Sequence, residues 1–129
     1  MWDPEIDQAL WLKLAINCAI NPLTALHGCL NGELAQAGLS ARVTTLCDEI
    51  IEISTAAGYA EVTADLHHQV ARVIAATAAN RSSMLQDVAA GRRTEIDYIT
   101  GYLLRAAHRH GVAAPHNEAL LRSVLELDD

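Results

Sequence analysis

The chain has no phenylalanine, and aromatic residues make up only 4% of its 129 positions, so any core it builds must be aliphatic. Three prolines and seven glycines are too few turn residues for a β-sandwich or barrel, and β-branched and aromatic runs are scarce as well. The three cysteines, Cys18, Cys29 and Cys47, are odd in number and have no CxxC spacing. They read as small buried hydrophobes in a reducing compartment, which makes a cytoplasmic protein the expectation. Basic residues are few: nine Lys and Arg against sixteen Asp and Glu, a net charge of −7. A nucleic-acid binder normally carries a basic stripe, and an anionic membrane surface attracts basic segments, so neither partner is expected. Lys13, Asn17 and Asn21 interrupt the best apolar run, so no bilayer span is expected. The N-terminal stretch carries Asp3, Glu5 and Asp7 without a basic region and does not read as a signal peptide. There is no GxGxxG and no GxxxxGK[ST], hence no dinucleotide or nucleotide phosphate loop. The six histidines lack metal-ligand spacing, and no metal site is expected.

What the chain does have is aliphatic mass. Hydrophobic residues are 51% and charged residues 19%, which excludes general disorder. Alanine and leucine dominate and favour helix. A chain of this length allows one domain, and such a domain buries roughly two-thirds of its unfolded surface. The pattern predicts a succession of helices and no strand. The first is expected from about Pro4 to Ile20, capped by Asp3, with Ile6, Ala9, Leu10, Leu14 and Cys18 at helical spacing and a break near Asn21 caused by Pro22. A short segment, Leu23 to Leu26, should end at Gly28, and Cys29 to Gly32 should form a turn using positive φ at Asn-Gly. Ser40 should cap a helix to about Ala57, stopped by Gly58. Thr63 should cap another, from Ala64 to Ala79. A short helix from Ser82 to Ala90 should end at Gly91. Thr94, with Asp97 in a capping box, should open a helix to about His110, ended by Gly111. Pro115 should open the last, from Asn117 to Leu127, with Asp128 and Asp129 frayed.

Three groups of polar residues invite a chemical reading. Lys13, Asn17 and Asn21 are spaced i, i+4, i+8 and form one stripe on the most apolar helix. If that helix is buried all round, the stripe is the polar wall of a cleft, and desolvation would ease release of a lysine's proton. The other reading is a solvent-facing stripe on an amphipathic helix. Asn80, Ser82, Ser83 and Gln86 surround a helix start, where the serines can serve as caps or hold a carboxylate. Glu95 sits in a first turn with no capping duty, and is either a surface acid, an acceptor for a substrate hydroxyl, or a partner for Lys13.

Several stretches together resemble the C-terminal domain of the ketopantoate reductases (2-dehydropantoate 2-reductases). They are Trp11-Leu-Lys13-Leu-Ala-Ile-Asn17-Cys-Ala-Ile-Asn21-Pro22, Asn31-Gly32-Glu33-Leu34, Thr77-Ala-Ala-Asn80-Arg-Ser-Ser83, Gly91 through Gly101 with Thr94-Glu95-Ile96-Asp97-Tyr98, and Gly111-Val-Ala-Ala-Pro115-His-Asn117. The resemblance spans almost the whole chain with its motifs in order. It implies an all-α, multi-helix domain like those of the 6-phosphogluconate dehydrogenase-type reductases, filling residues 1–129 as one substrate-binding and catalytic unit. It implies NADPH-dependent reduction of 2-dehydropantoate to (R)-pantoate, in pantothenate and coenzyme A biosynthesis. Lys13 matches the lysine that donates the proton, and Glu95 the acid that contacts the substrate hydroxyl. Asn17, Asn21 and Asn31 match substrate-binding amides, Ser83 the serine that holds the substrate carboxylate, and Asn80 a supporting polar residue.

The family's N-terminal Rossmann domain, with its glycine-rich loop, has no counterpart in these residues. The chain is therefore expected to need its own dinucleotide-binding domain as a partner, which would hold most of the NADPH, and to be inactive alone. The face such a domain would cover should be apolar and prone to self-association, with a homodimer as one form. Two other readings remain open: a related reductase for another 2-keto or 3-hydroxy acid, and a helical interaction module without catalysis.

Overall fold

The computed structural model describes residues 7–128. Within them lie six α-helices and two short helical turns, and no strand. Helix α1 spans Gln8–His27, a 3-10 turn Asn31–Ala35, α2 Ala37–Ala56, α3 Leu66–Ala76, α4 Ser83–Ala89, a π-helical turn Asp97–Gly101, α5 Tyr102–Arg109 and α6 Pro115–Leu127. Helix α1 is the hub: it touches each of the other elements.

The expected break at Pro22 does not occur. Helix α1 runs through it, and the separate segment Leu23 to Leu26 is the last part of one helix of 20 residues. The missing N–H of proline removes one helical bond. Against that loss stands the complete burial of Leu23 and Thr24 and the near-complete burial of Ala25, which holds the chain helical beyond the proline. Asp7 caps the N-terminus, its carboxylate accepting from Leu10 N at 2.9 Å. The expected cap at Asp3 and the start at Pro4 lie outside the described residues. Gly28 ends the helix in the left-handed region, φ 62°.

The buried face of α1 is Trp11, Ala15, Cys18, Ala19 and Leu23. Leu10 and Leu14, read from spacing as part of that face, instead flank Lys13 on the open side. By length and composition α1 could cross a membrane, contrary to the expectation from its three polar residues. In this fold, 56% of its most apolar 18-residue window is buried among the other helices, and that burial accounts for its apolarity.

Other differences have local causes. Gly32 does not adopt positive φ. It is small because Ala78 passes close by: a Cβ there would come within 2.7 Å of Ala78 Cβ, and Gly32 N donates to Ala78 O at 3.0 Å. Helix α2 begins at Ala37, so Ser40 lies inside its first turn and bonds back to Ala37 O. Helix α3 is shorter than expected at both ends, starting after turns at residues 60–65, and Thr63 is fully buried without capping it. Thr94 forms no capping box with Asp97. Its N–H and hydroxyl both bind the Asp128 carboxylate, at 3.1 and 2.9 Å. Asp128 is thereby anchored rather than frayed. Asp97 turns to Arg105, 3.3 Å away.

The start of α6 is held from another helix. Glu49 of α2 accepts from His116 N, Asn117 N and Asn117 Nδ2 at 2.8–3.0 Å, and so satisfies free N–H groups of the helix N-terminus. All three cysteines are free and buried.

Candidate functional site

The open side of α1 carries Lys13, Asn17 and Asn21 in successive turns. Lys13, the only lysine of the chain, is exposed, while Asn17 and Asn21 are half-buried. Of the two readings of the stripe, the outward-facing one holds for the chain's own atoms. Lys13 and Asn17 line an open concavity of about 280 Å³ together with Leu10, Leu14, Tyr98 and Tyr102. Asn21 continues the row one turn further along the axis.

The far wall of this concavity comes from the π-helical turn. Such turns are rare inside helices and often occur at functional sites. Here the wider turn sets Tyr98 and Tyr102 on the side facing α1. Gly101 makes room for the Asp97 carboxylate: a Cβ there would meet Asp97 Oδ1 at 2.5 Å, whereas the bare glycine lets that carboxylate fold over toward Arg105 Nη1. Tyr98 is 75% exposed and Leu10 52% exposed, so the concavity has an apolar rim with a lysine and an amide in its floor.

Ser83 is the first residue of α4 and is exposed. Its neighbour Ser82 is the N-cap, buried, and joined to Thr24 of α1 at 2.6 Å. That bond fixes the start of α4 beside the part of α1 that carries Asn21. Asn80 is exposed in the preceding loop, and its carbonyl accepts from Asn31 N at 3.0 Å. Glu95 is exposed just before the π-helical turn, and its carbonyl accepts from Tyr98 N at 2.9 Å.

The side-chain polar groups of Lys13, Asn17, Asn21, Asn80, Ser83 and Glu95 make no hydrogen bond or ion pair to another described residue. Lys13 and Glu95 are thus not paired with each other, and their charges are free to meet a ligand. Several polar side chains of the core behave differently: Thr24, Ser54, Ser82 and Asn117 each make hydrogen bonds inside the fold.

Asn31 stands apart from the row. It is buried, its Nδ2 donates to Thr77 Oγ1 at 2.9 Å, and its backbone holds the 77–80 loop. Its Oδ1 is buried without a partner, the one acceptor it has left to offer.

Cysteine nucleophiles are excluded by burial, which pushes the Cys18 and Cys47 thiols up to about 12 and also raises Cys29. Among the described residues no cluster of His, Cys, Asp or Glu could hold a metal ion. His67 and His68 are surface residues beside Asp48 and Asp65, and His108 and His110 are exposed.

Sequence reading had passed over Tyr98 and Tyr102. Their signal was present as two of only three tyrosines, four residues apart and following Glu95, but the turn that aims them is not visible in a helical pattern.

Comparison with known proteins places this arrangement in a family. Residues 5–128 match the family described as ketopantoate reductase PanE/ApbA C terminal. A 2-dehydropantoate 2-reductase of Vibrio cholerae is 49% identical over 127 residues, 98% of this chain and 43% of its own length. A probable 2-dehydropantoate 2-reductase of Bacillus subtilis superposes with a TM-score of 0.83 at 39% identity, over 95% of this chain and 42% of that one. A ketopantoate reductase of Ralstonia eutropha gives 0.85 at 29% identity, over 98% and 43%. The chain spans about two-fifths of the length of the curated relatives it matches. It belongs to the ketopantoate reductase family, as the C-terminal domain of that fold.

Proposed function

We propose that this chain is the substrate-binding and proton-donating part of an NADPH-dependent 2-dehydropantoate 2-reductase, serving pantothenate and coenzyme A synthesis. The observation that carries the reading is the row of idle polar groups along α1. An ammonium and an amide line a concavity of about 280 Å³ whose rim is apolar, and a second amide follows. That donor set and size suit a small keto acid. They do not suit a dinucleotide, for which the chain has no glycine-rich loop. NADPH is accordingly held mainly by a dinucleotide-binding domain, seated over the exposed Leu10 and Tyr98.

When bound, the reduced nicotinamide supplies the hydride. The task of this chain is alignment and charge. Reduction gives the substrate's carbonyl oxygen alkoxide character. The Lys13 ammonium stabilises that oxygen and transfers a proton to it, so that the carbonyl becomes a hydroxyl. Asn17 and Asn21 orient the acid without adding charge, Asn31 offers its spare acceptor, and the Ser83 hydroxyl holds the carboxylate. Glu95 accepts from the substrate's hydroxyl, with Asn80 in support. A reducing, cytoplasmic setting belongs to the same reading and is supported by three thiols that remain unpaired.

The test is turnover. The chain joined to the N-terminal domain of its Vibrio cholerae relative should oxidise NADPH when 2-dehydropantoate is added, and the chain alone should not. Turnover with a different 2-keto acid only would keep the chemistry and correct the substrate. No turnover with any 2-keto acid would contradict the reading.

A further inference from the structure

Thr24 lies within α1 and is fully buried. Its hydroxyl makes two hydrogen bonds: it donates to Asn21 O at 2.9 Å, and it meets Ser82 Oγ at 2.6 Å. A hydroxyl has one proton. Because that of Thr24 goes to the Asn21 carbonyl, the proton in the second bond must come from Ser82. Ser82 Oγ in turn accepts from Leu85 N at 3.1 Å. The direction of every bond is then fixed: Leu85 N–H to Ser82, Ser82 O–H to Thr24, Thr24 O–H to Asn21. Bonds aligned head to tail in this way polarise one another, and burial strengthens each of them.

The chain of bonds runs through Ser82, the residue before Ser83, to the backbone carbonyl of Asn21 on α1. No other side-chain bond links these two helices. Helix α4 has only seven residues; Met84 and Leu85 pack it against α1, and the Thr24–Ser82 bond pins its first turn. We propose that Thr24 and Ser82 are positioning residues that set the spacing between Ser83 and Asn21, and with it the geometry of the substrate-carboxylate end of the site. This inference rests on the function proposed above. Neither residue touches the substrate. Each acts through its neighbour in sequence or through the carbonyl it holds.

Thr24→Val keeps the shape of the side chain and removes the hydroxyl. In the two-domain enzyme it should raise KM for 2-dehydropantoate about tenfold or more, because a small misplacement of a binding group is costly. The KM for NADPH and kcat should each stay within about twofold, since the cofactor and Lys13 are served by other parts of the site. Thr24→Ser restores the hydroxyl and should return KM toward the wild-type value. Ser82→Gly, a change that a helix N-cap tolerates, should reproduce the Thr24→Val effect by removing the other hydroxyl, and it decides the matter if Thr24→Val fails to fold. A wild-type KM in Thr24→Val or Ser82→Gly would overturn the proposal. So would a parallel rise in both KM values, which marks general loosening, or a Thr24→Ser enzyme no better than Thr24→Val. A wild-type enzyme inactive on every 2-keto acid would overturn the functional reading and this proposal with it, whereas an active wild type with indifferent variants overturns this proposal alone.

Discussion

Lys13→Ala in the two-domain enzyme should lower kcat by about 10²- to 10⁴-fold, the usual contribution of a positioned acid or base. KM for the keto acid should change little, because the asparagines and Ser83 still hold it. Stability should stay within about 0.5 kcal/mol of wild type, as for most exposed positions. The physical ground is the side chain's isolation: Lys13 is exposed and has no ion-pair partner among the described residues, so its removal leaves no buried group unsatisfied. Lys13→Arg is the informative companion. It keeps the positive charge but holds its proton far too tightly to act as an acid near neutral pH. If charge stabilisation alone mattered, arginine would recover most of the rate. Proton donation predicts that it recovers little. The measurement is steady-state NADPH oxidation beside a urea denaturation curve for each variant.

Two residues along, the same helix gives the opposite result. Trp11→Ala should destabilise the fold by about 3–5 kcal/mol, the range for a large buried aromatic, which is a large share of the roughly 5–15 kcal/mol that a domain has in total. Trp11 is 2% exposed. Its ring stacks on Tyr59 with centroids 4.3 Å apart and planes 8° from parallel. Its indole N–H donates to Ser54 Oγ at 2.9 Å, and the Ser54 hydroxyl in turn donates to Ile50 O. Truncation empties the ring's volume and leaves Ser54 Oγ without its donor. Trp11→Phe keeps most of the packing and loses the N–H, so it should cost only about 1–2 kcal/mol. Equilibrium urea unfolding followed by circular dichroism separates the two. Equal losses in both variants would mean that the hydrogen bond, not the stacked ring, dominates. The pair of positions makes a wider point: Trp11 fixes α1 in the core so that Lys13 faces out at a set place.

Much of this was legible in the chain itself, and the reason is local. Helix ends at Gly28, Gly58, Gly91 and Gly111 are all in the left-handed region, which glycine alone adopts freely. Pro115 opens α6 and Ser82 caps α4 by rules that involve one turn of helix. The polar stripe follows from spacing, and the family's motifs fall upon it. What sequence misjudged depends on partners far along the chain. Thr94 looked like a helix cap, but it is bound by Asp128, 34 residues away. Pro22 looked like a helix break, but burial of the following turn overrides it. Spacing left Lys13 open to a buried or a solvent-facing reading, because its apolar neighbours divide between a core face and the rim of an open concavity. The tyrosines of that rim were missed because a π-helical turn shifts side chains off the ordinary helical register.

The central claim is that the Lys13–Asn17–Asn21 row is where a small keto acid meets its proton donor. Its most direct test is nuclear magnetic resonance of the two-domain enzyme, with the Asn17 and Asn21 side-chain amides and the Lys13 ammonium, each assigned by substitution, observed while 2-dehydropantoate or pantoate is added. The account predicts saturable shifts of the Asn17 and Asn21 side-chain NH₂ groups and of Lys13 Nζ, with Asn117 and the Trp11 indole unmoved as internal controls. Saturable binding with the α1 row unmoved would put the substrate elsewhere and contradict the account.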